Sequence, residues 1–318
     1  MYNIYIIHEV DMKRRFIQRD TTIKQFLEDS NFNGICAFDE KSIYEFLHSH
    51  KNNMNTKSFS LNKFIKYLLN NEFLFEFEFE NHLNDKKIYI SKYFNDKSNY
   101  AKVLEVSSIL IPKSYISYFS SMYYYNLTQQ LPKKLYLSIE RKSNAPHNEL
   151  AQEVINKALC KEGRLPTGVL SILGYEIYLV HTKEANRVGI KRVLLFDRDY
   201  RITTLERTLV DIVIRSEISG GIEEVVSAYK KAFELYNNDI FINKIIFILK
   251  KLNYIYPYHQ VIGYLLSKSG FDVSNIKKEF EFKNDFFLSR GTVNENLNDL
   301  DYNEEFRLYI PKNLSKVF

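Results

Sequence analysis

The segment Arg201 to Gly221, RITTLERTLVDIVIRSEISGG, constrains the fold more than any other stretch, because a helix with its own start and stop is written into it. Thr203 with Glu206 three residues on forms a capping box. The hydroxyl accepts from the third helical N–H, and the carboxylate reaches back to the cap's own N–H. Leu205, Leu209, Ile212 and Val213 fall at helical spacing and make one apolar stripe. Arg207, Asp211 and Arg215 step by four along a neighbouring stripe, where opposite charges one turn apart contribute a few tenths of a kcal/mol per pair. Gly220-Gly221 ends the segment, since glycine accepts the left-handed conformation that closes helices. Taken alone, these residues predict a well-built core helix.

A chain of 318 residues has room for about two domains. Its 45% hydrophobic and 26% charged residues can form an ordinary globular core. The 24 Tyr and 24 Phe come without Trp and with abundant Asn, Lys and Ile. That bias follows AT-rich coding, so the aromatic content is not evidence for base stacking. The opening MYNIYIIHEVDMKRR does not read as a signal peptide, because its basic cluster follows the apolar run instead of leading it. No stretch approaches the roughly 18 apolar residues that span a bilayer. Cys36 and Cys160 have no metal-ligand spacing and read as reduced thiols, which implies a cytoplasmic protein.

The net charge is +5, and its distribution matters. Residues 1–100 hold 14 Lys and Arg against 14 Asp and Glu, whereas residues 101–250 hold 21 against 16 and supply the whole excess. A DNA-binding domain at the N-terminus would normally carry such a surplus itself.

Along the first hundred residues a short strand or helix is expected at Ile4 to Ile7, then a basic helix from Asp11 or Met12 to about Glu28, then a turn around Gly34. Asp39 can cap a helix whose apolar face is Ile43, Phe46 and Leu47. Ser58 or Ser60 can cap the next, where Leu61, Phe64, Ile65, Leu68 and Leu69 are amphipathic. FLFEFEFE alternates with period two from Phe75 and pairs with KKIYISKYF as a β-hairpin. Helices followed by a hairpin is the order of a winged helix-turn-helix, with the Ser60 to Glu72 helix in the major groove and the hairpin as wing. In that reading Lys57, Ser60, Asn62, Lys63 and Lys66 face phosphates or base edges, and Lys86 and Lys87 reach the backbone from the hairpin tip. Glu72, Glu76, Glu78 and Glu80 oppose it if they face phosphate.

The linker Asn95 to Asn99 divides a first domain, residues 1–97, from a second, residues 98–318. In the second, KLYLSIE, YEIYLVHT and KRVLLFD read as strands of a mixed sheet. A helix from about His147 to Cys160 and a Gly163–Gly174 loop lie between them. Helices over Ile222–Leu235, Asp239–Leu252 and Tyr258–Ser267 follow. The expected fold class is therefore α+β.

Asp197-Arg198-Asp199 is the one carboxylate pair that suggests a Mg²⁺ nuclease or nucleotidyltransferase. No glycine-serine turn precedes it to hold a triphosphate, and no phosphate loop, dinucleotide motif or nucleophile elbow occurs. His147, His181 and His259 lack partners at ligand spacing, so neither metal nor cofactor is expected. Arg187, Arg192, Arg198 and Arg201 form the densest basic cluster, a patch for nucleic acid or an acidic partner or else a solvated sheet edge.

Three stretches carry a family resemblance. ITTLERTLVDIV followed by Gly220-Gly221 and a helix with Glu223, Ala228 and Tyr229 resembles the AbiEi family of bacterial antitoxins, which shows a T-x-x-E-R-T-L-x-D segment and a glycine-marked break. YISYFSSMYYYNLTQQLP (Tyr115 to Pro132) is similar to that family's helix ending in an L-T-x-x-x-P turn. PYHQVIGYLLSKSGF and DYNEEFRLYIP resemble the tail of one branch. The matches run in order over roughly residues 100 to 312. The resemblance implies an N-terminal winged helix that represses its own operon at inverted repeats. It also implies an AbiEi-like domain, marked by Thr203, Glu206, Arg207 and Asp211, that counters a nucleotidyltransferase-like toxin in a type IV system. Such a protein is not an enzyme. The alternatives are a regulator or docking scaffold without toxin antagonism, and the metal enzyme at Asp197 and Asp199.

Overall fold

One helix, α1 (Tyr2–Phe32), opens the chain. Neither glycine nor proline interrupts this segment, so the element expected at Ile4 to Ile7 and the basic helix after it fuse into one. The chain then turns at Gly34, whose φ of +69° an L side chain rarely adopts. The computed structural model describes residues 2–79, 86–142, 151–160, 166, 168–290 and 297–315. These divide into two compact units. The first holds residues 1–113 with 170–175 and 194–200, and the second holds 114–169, 176–193 and 201–318.

In the first unit β1 (Ala37–Asp39) leads into α2 (Glu40–His50), capped by Asp39, whose carboxylate accepts from the N–H of Ser42. Ile43, Phe46 and Leu47 are the buried face of α2. Ser60, and not Ser58, caps α3 (Leu61–Asn70). Phe64, Ile65 and Leu68 are its buried face. The Phe/Glu alternation pairs over two residues only, β2 (Phe75–Glu76), against β3 (Ile88–Ile90). β3 also pairs antiparallel with β1, giving the order β1-β3-β2. Ile23 and Leu27 of α1 join Phe38, Phe46, Phe64, Leu68 and Tyr89 in one core.

The boundary expected after Lys97 falls inside this unit, because α4 (Asn99–Leu110) is tied into it by a buried carboxylate. Oε1 of Glu105, fully buried, accepts from the backbone N–H groups of Cys36 at 2.6 Å and Ala37 at 2.7 Å. Lys97 Nζ lies 2.8 Å from Oε2, and Arg198 Nη1 lies 3.3 Å from Oε1.

The second unit opens with β4 (Tyr115–Ile116) and α5 (Tyr118–Tyr124), then β5 (Lys134–Arg141) and α6 (Gln152–Leu159). His147 lies outside the described residues. Two strands join the expected three. β6 (Gly168–Ile172) and β7 (Tyr175–Lys183) form one hairpin, and β8 (Ile190–Leu195) and β9 (Arg198–Thr203) form another. The sheet order is β6-β7-β5-β4-β9-β8. β5 runs parallel to β7 along its whole length, and β4 is antiparallel to β5 and parallel to β9.

The segment Arg201 to Gly221 divides differently from the expectation. Its helix, α7 (Leu205–Ile214), is capped by Thr204, whose hydroxyl accepts from Arg207 N–H at 3.3 Å. Thr203 is the last residue of β9: its carbonyl accepts from Tyr125 and its hydroxyl pairs with that of Thr208. The Thr203–Glu206 capping box therefore does not form, and Glu206 sits 3.4 Å from Lys244 instead. Thr204→Ala should cost about 1 kcal/mol of stability, read from a denaturant midpoint. Gly220-Gly221 does not end α7, which stops at Ile214. With φ of 88° and 90°, the glycines introduce α8 (Ile222–Tyr236).

α9 (Ile242–Leu252), α10 (Tyr258–Ser269) and α11 (Ser274–Glu279) pack with α7 and α8 in the larger core. A small sheet of β10 (Phe286–Phe287), β11 (Leu300–Asn303) and β12 (Leu308–Pro311) and the short α12 (Lys312–Ser315) complete the unit. Among the described residues no helix is long and apolar enough to cross a membrane.

His259 on α10 stacks on Phe280 and Phe282 at centroid distances of 4.8 and 5.5 Å. Burial pulls its pKa down to about 4, against a hydrogen bond at the backbone of Glu281 that raises it. The unfolded imidazole takes a proton near pH 6.5 and the folded one only near pH 4, so stability falls as the pH drops between them. Lowering the pH from 7 to 5 should cost about 2 kcal/mol through this residue. His259→Phe should remove that loss, as urea midpoints at the two pH values would report.

Candidate nucleic-acid interface

α3 presents two faces for a simple reason. Its apolar residues recur every three to four positions, so Asn62, Lys63, Lys66 and Asn70 are left together on the exposed side. Lys63 Nζ lies 4.7 Å from the Phe59 ring centre, which steadies the amine above the helix start. Ser60 is exposed, but its oxygen is engaged as the helix cap at 3.3 Å from Lys63 N–H. Lys57 is exposed one turn before the helix. α3 contains no carboxylate, so its exposed side is cationic although the first hundred residues balance.

Behind this face an arginine fixes α3 to α1. Arg19 is buried, its Nε donates to the Met54 carbonyl, and its guanidinium lies 4.9 Å from the ring centres of both Phe59 and Tyr67. Tyr67 donates to Asp20. These contacts are invisible to a search for exposed lysines. They hold the angle at which α3 leaves the core.

The hairpin contributes less than expected. Lys87 Nζ sits 2.8 Å from Glu76 of the paired strand, so its charge is already countered. Lys86 is exposed, and Glu80 lies outside the described residues. Glu72, two residues past the end of α3, has a φ of 57°, and Glu76 and Glu78 are exposed.

In the second unit the expected Arg207–Asp211 pair on α7 forms, and it is buried. Arg207 is 0% exposed and Asp211 1%, with Nε to Oδ1 at 2.7 Å and Nη1 donating to the Val188 carbonyl at 2.8 Å. Burial pulls the guanidinium down, but Asp211, Tyr115 and Tyr254 outweigh it and hold it above its ordinary value. Burial raises the Asp211 carboxyl against the pull of Arg207. Arg215 does not continue the series; it pairs with Glu217. Gly189 lies so close that a Cβ there would sit 2.6 Å from Arg207 Cβ. Arg207 and Asp211 are thus core residues that tie the β7–β8 connection to α7.

The four arginines do not form one patch. Arg198 and Arg201 stand three apart on β9, so their side chains leave opposite faces. Arg198 turns to the buried Glu105, while Arg201 stays within electrostatic range of Arg187 and Arg192. Phe196 and Asp197, both at positive φ, are the two-residue turn between β8 and β9. The Asp197 backbone packs where a Cβ on Gly34 would lie at 2.6 Å. Asp197 and Asp199 gather no further ligand: among the described residues no group of three His, Cys, Asp or Glu could hold a metal ion. A pocket of about 440 Å³ in the second unit is lined by Glu223, Asp299 and Lys312 among others; of the residues named from sequence it holds Glu223, from the stretch that carries the family resemblance.

No family model matches this chain. No curated protein matches it either. Among solved structures, the crystal structure of the RV2827C protein from Mycobacterium tuberculosis is similar, with a TM-score of 0.54 at 10% identity over 93% of this chain and 94% of that one. At that identity the likeness is one of fold, an α+β chain with several sheets that is matched nearly end to end.

Proposed function

We propose that this chain is an AbiEi-like antitoxin of a type IV toxin–antitoxin system, cytoplasmic and not itself an enzyme. Its first unit is read as a winged helix that represses the operon, and its second as the part that counters a nucleotidyltransferase-like toxin. The observation that carries the DNA half is the exposed side of α3, where Asn62, Lys63 and Lys66 stand together without a carboxylate on the helix. The order α1-β1-α2-α3-β2-β3 and the sheet order β1-β3-β2 support a winged helix. The antitoxin half rests on the resemblance of the second unit's motifs. The buried Arg207 and Asp211 fit a role for that motif in holding the unit together. Operator DNA with inverted repeats and the toxin are the partners this reading calls for.

Two readouts in cells test the halves separately. A reporter driven by the DNA upstream of the gene should be repressed by the wild-type chain and released by Lys63→Ala with Lys66→Ala. Expression beside the neighbouring gene should relieve growth arrest, and should still do so with the lysine variant. Repression without any relief would leave the regulator reading in place of the antitoxin.

A further inference from the structure

The last strand of the six-stranded sheet is β8, whose outer side has no partner strand among the described residues. β8 ends at Leu195 and β9 begins at Arg198, so two residues join them. In such a hairpin, residues equally far from the turn stand opposite one another, which sets Arg192 against Arg201. Pairing alternates, so Leu195, Val193 and Lys191 exchange hydrogen bonds with β9, while the N–H and C=O of Arg192 point out along the free edge.

Like charges placed directly opposite in a sheet are destabilising. Here a third, Arg187, joins them. Burial lowers Arg201 from its ordinary value, and Arg187 and Arg192 lower it further. Arg187 and Arg192 are exposed, and among the described residues no ion pair joins any of the three to a carboxylate. Glu140 lies nearby, but its oxygens accept from the backbone N–H of Arg187 at 3.1 Å. Lys191, on the other side of the strand, has its amine 5.2 Å from the Tyr125 ring centre.

One lysine or arginine is enough to guard an edge against aggregation. Three converging guanidinium groups go beyond that, and they also forbid pairing with a second copy, which would double the positive charge. We propose that the free edge of β8 receives an extended acidic segment of a partner protein, added as a further strand with its carboxylates against Arg187, Arg192 and Arg201. Main-chain hydrogen bonds would supply the grip and the arginines the selection. The inference does not depend on the operator-binding reading of the first unit.

The test uses the full chain and two labelled peptides of equal negative charge, one alternating Glu with Val and one alternating Glu with Pro. The second can add no strand, because proline has no N–H to donate. The Glu/Val peptide should bind at least about tenfold more tightly and slow amide exchange over residues 190–193. Arg201→Gln should weaken it roughly tenfold. Arg192→Pro should weaken it several-fold beyond Arg192→Ala, since both lose the charge but only proline loses the outward N–H. Equal binding of the two peptides would overturn strand addition, with no variant needed. Tighter binding of a single-stranded DNA oligomer that displaces the peptide would overturn the protein partner. Absence of binding would leave a guarded edge only.

Discussion

Arg207→Met should lower the unfolding free energy of the second unit by about 3–5 kcal/mol, because it leaves the Asp211 carboxylate buried with no countercharge. At 0% and 1% exposure neither group can turn to water. The pair itself adds little net stability. Among the described residues Arg207 Nη2 and Asp211 Oδ2 find no hydrogen-bond partner, so much of the cost of burying the charges is not returned. The double variant Arg207→Met with Asp211→Leu should therefore recover most of the loss. The pH dependence has a definite sign. Burial raises the Asp211 carboxyl, and removing Arg207 removes the opposing pull. A carboxyl raised in the folded state stabilises below its unfolded pKa and loses that contribution as the pH rises. The deficit of Arg207→Met against wild type should accordingly shrink between pH 7 and about pH 4. A constant deficit would mean that the variant acts through packing alone.

Glu105→Ala should cost the first unit a similar amount, about 3–5 kcal/mol, and Glu105→Gln distinctly less. The alanine strips acceptors from two backbone N–H groups at 2.6 and 2.7 Å and leaves Lys97 and Arg198 facing each other. The amide of glutamine can still accept from Cys36 and Ala37, so it loses mainly the charge. Because α4, the turn before β1 and the β8–β9 turn all meet at this carboxylate, its loss should appear as faster hydrogen exchange in all three segments. Exchange confined to α4 would show that the carboxylate does not join them.

Much of this was legible in local patterns and little of it in long-range ones. Asp39 and Ser60 were readable as caps because a cap and its apolar stripe lie within a few residues. The helices α8, α9 and α10 followed from periodicity alone, whereas the short α11 and α12 did not show in it. The start of α7 was misplaced by one residue because Thr203 and Thr204 are adjacent. The capping-box spacing favours the first, whereas the hydrogen bond from Tyr125 to the Thr203 carbonyl keeps that residue in β9. Arg207 and Asp211 have the same four-residue spacing whether a helix face is wet or dry, so only the covering loop at Gly189 distinguishes a surface pair from a core pair. Glu105 carries no local signal, since Cys36 lies 69 residues away from it. The arginine cluster was divided by strand parity, which required β9 to be recognised first; without it the four arginines read as one patch or one solvated sheet edge.

The measurement that bears most directly on the proposed function is binding of the full chain to the DNA upstream of its gene, against a scrambled fragment, at two salt concentrations. The α3 face predicts preferential binding that weakens with salt. Lys63→Ala with Lys66→Ala should weaken it at least about tenfold and make the salt dependence shallower by roughly one ion per lysine. Equal affinity for both fragments, or wild-type affinity in the lysine variant, would contradict an operator-reading α3 and leave the first unit as a docking module.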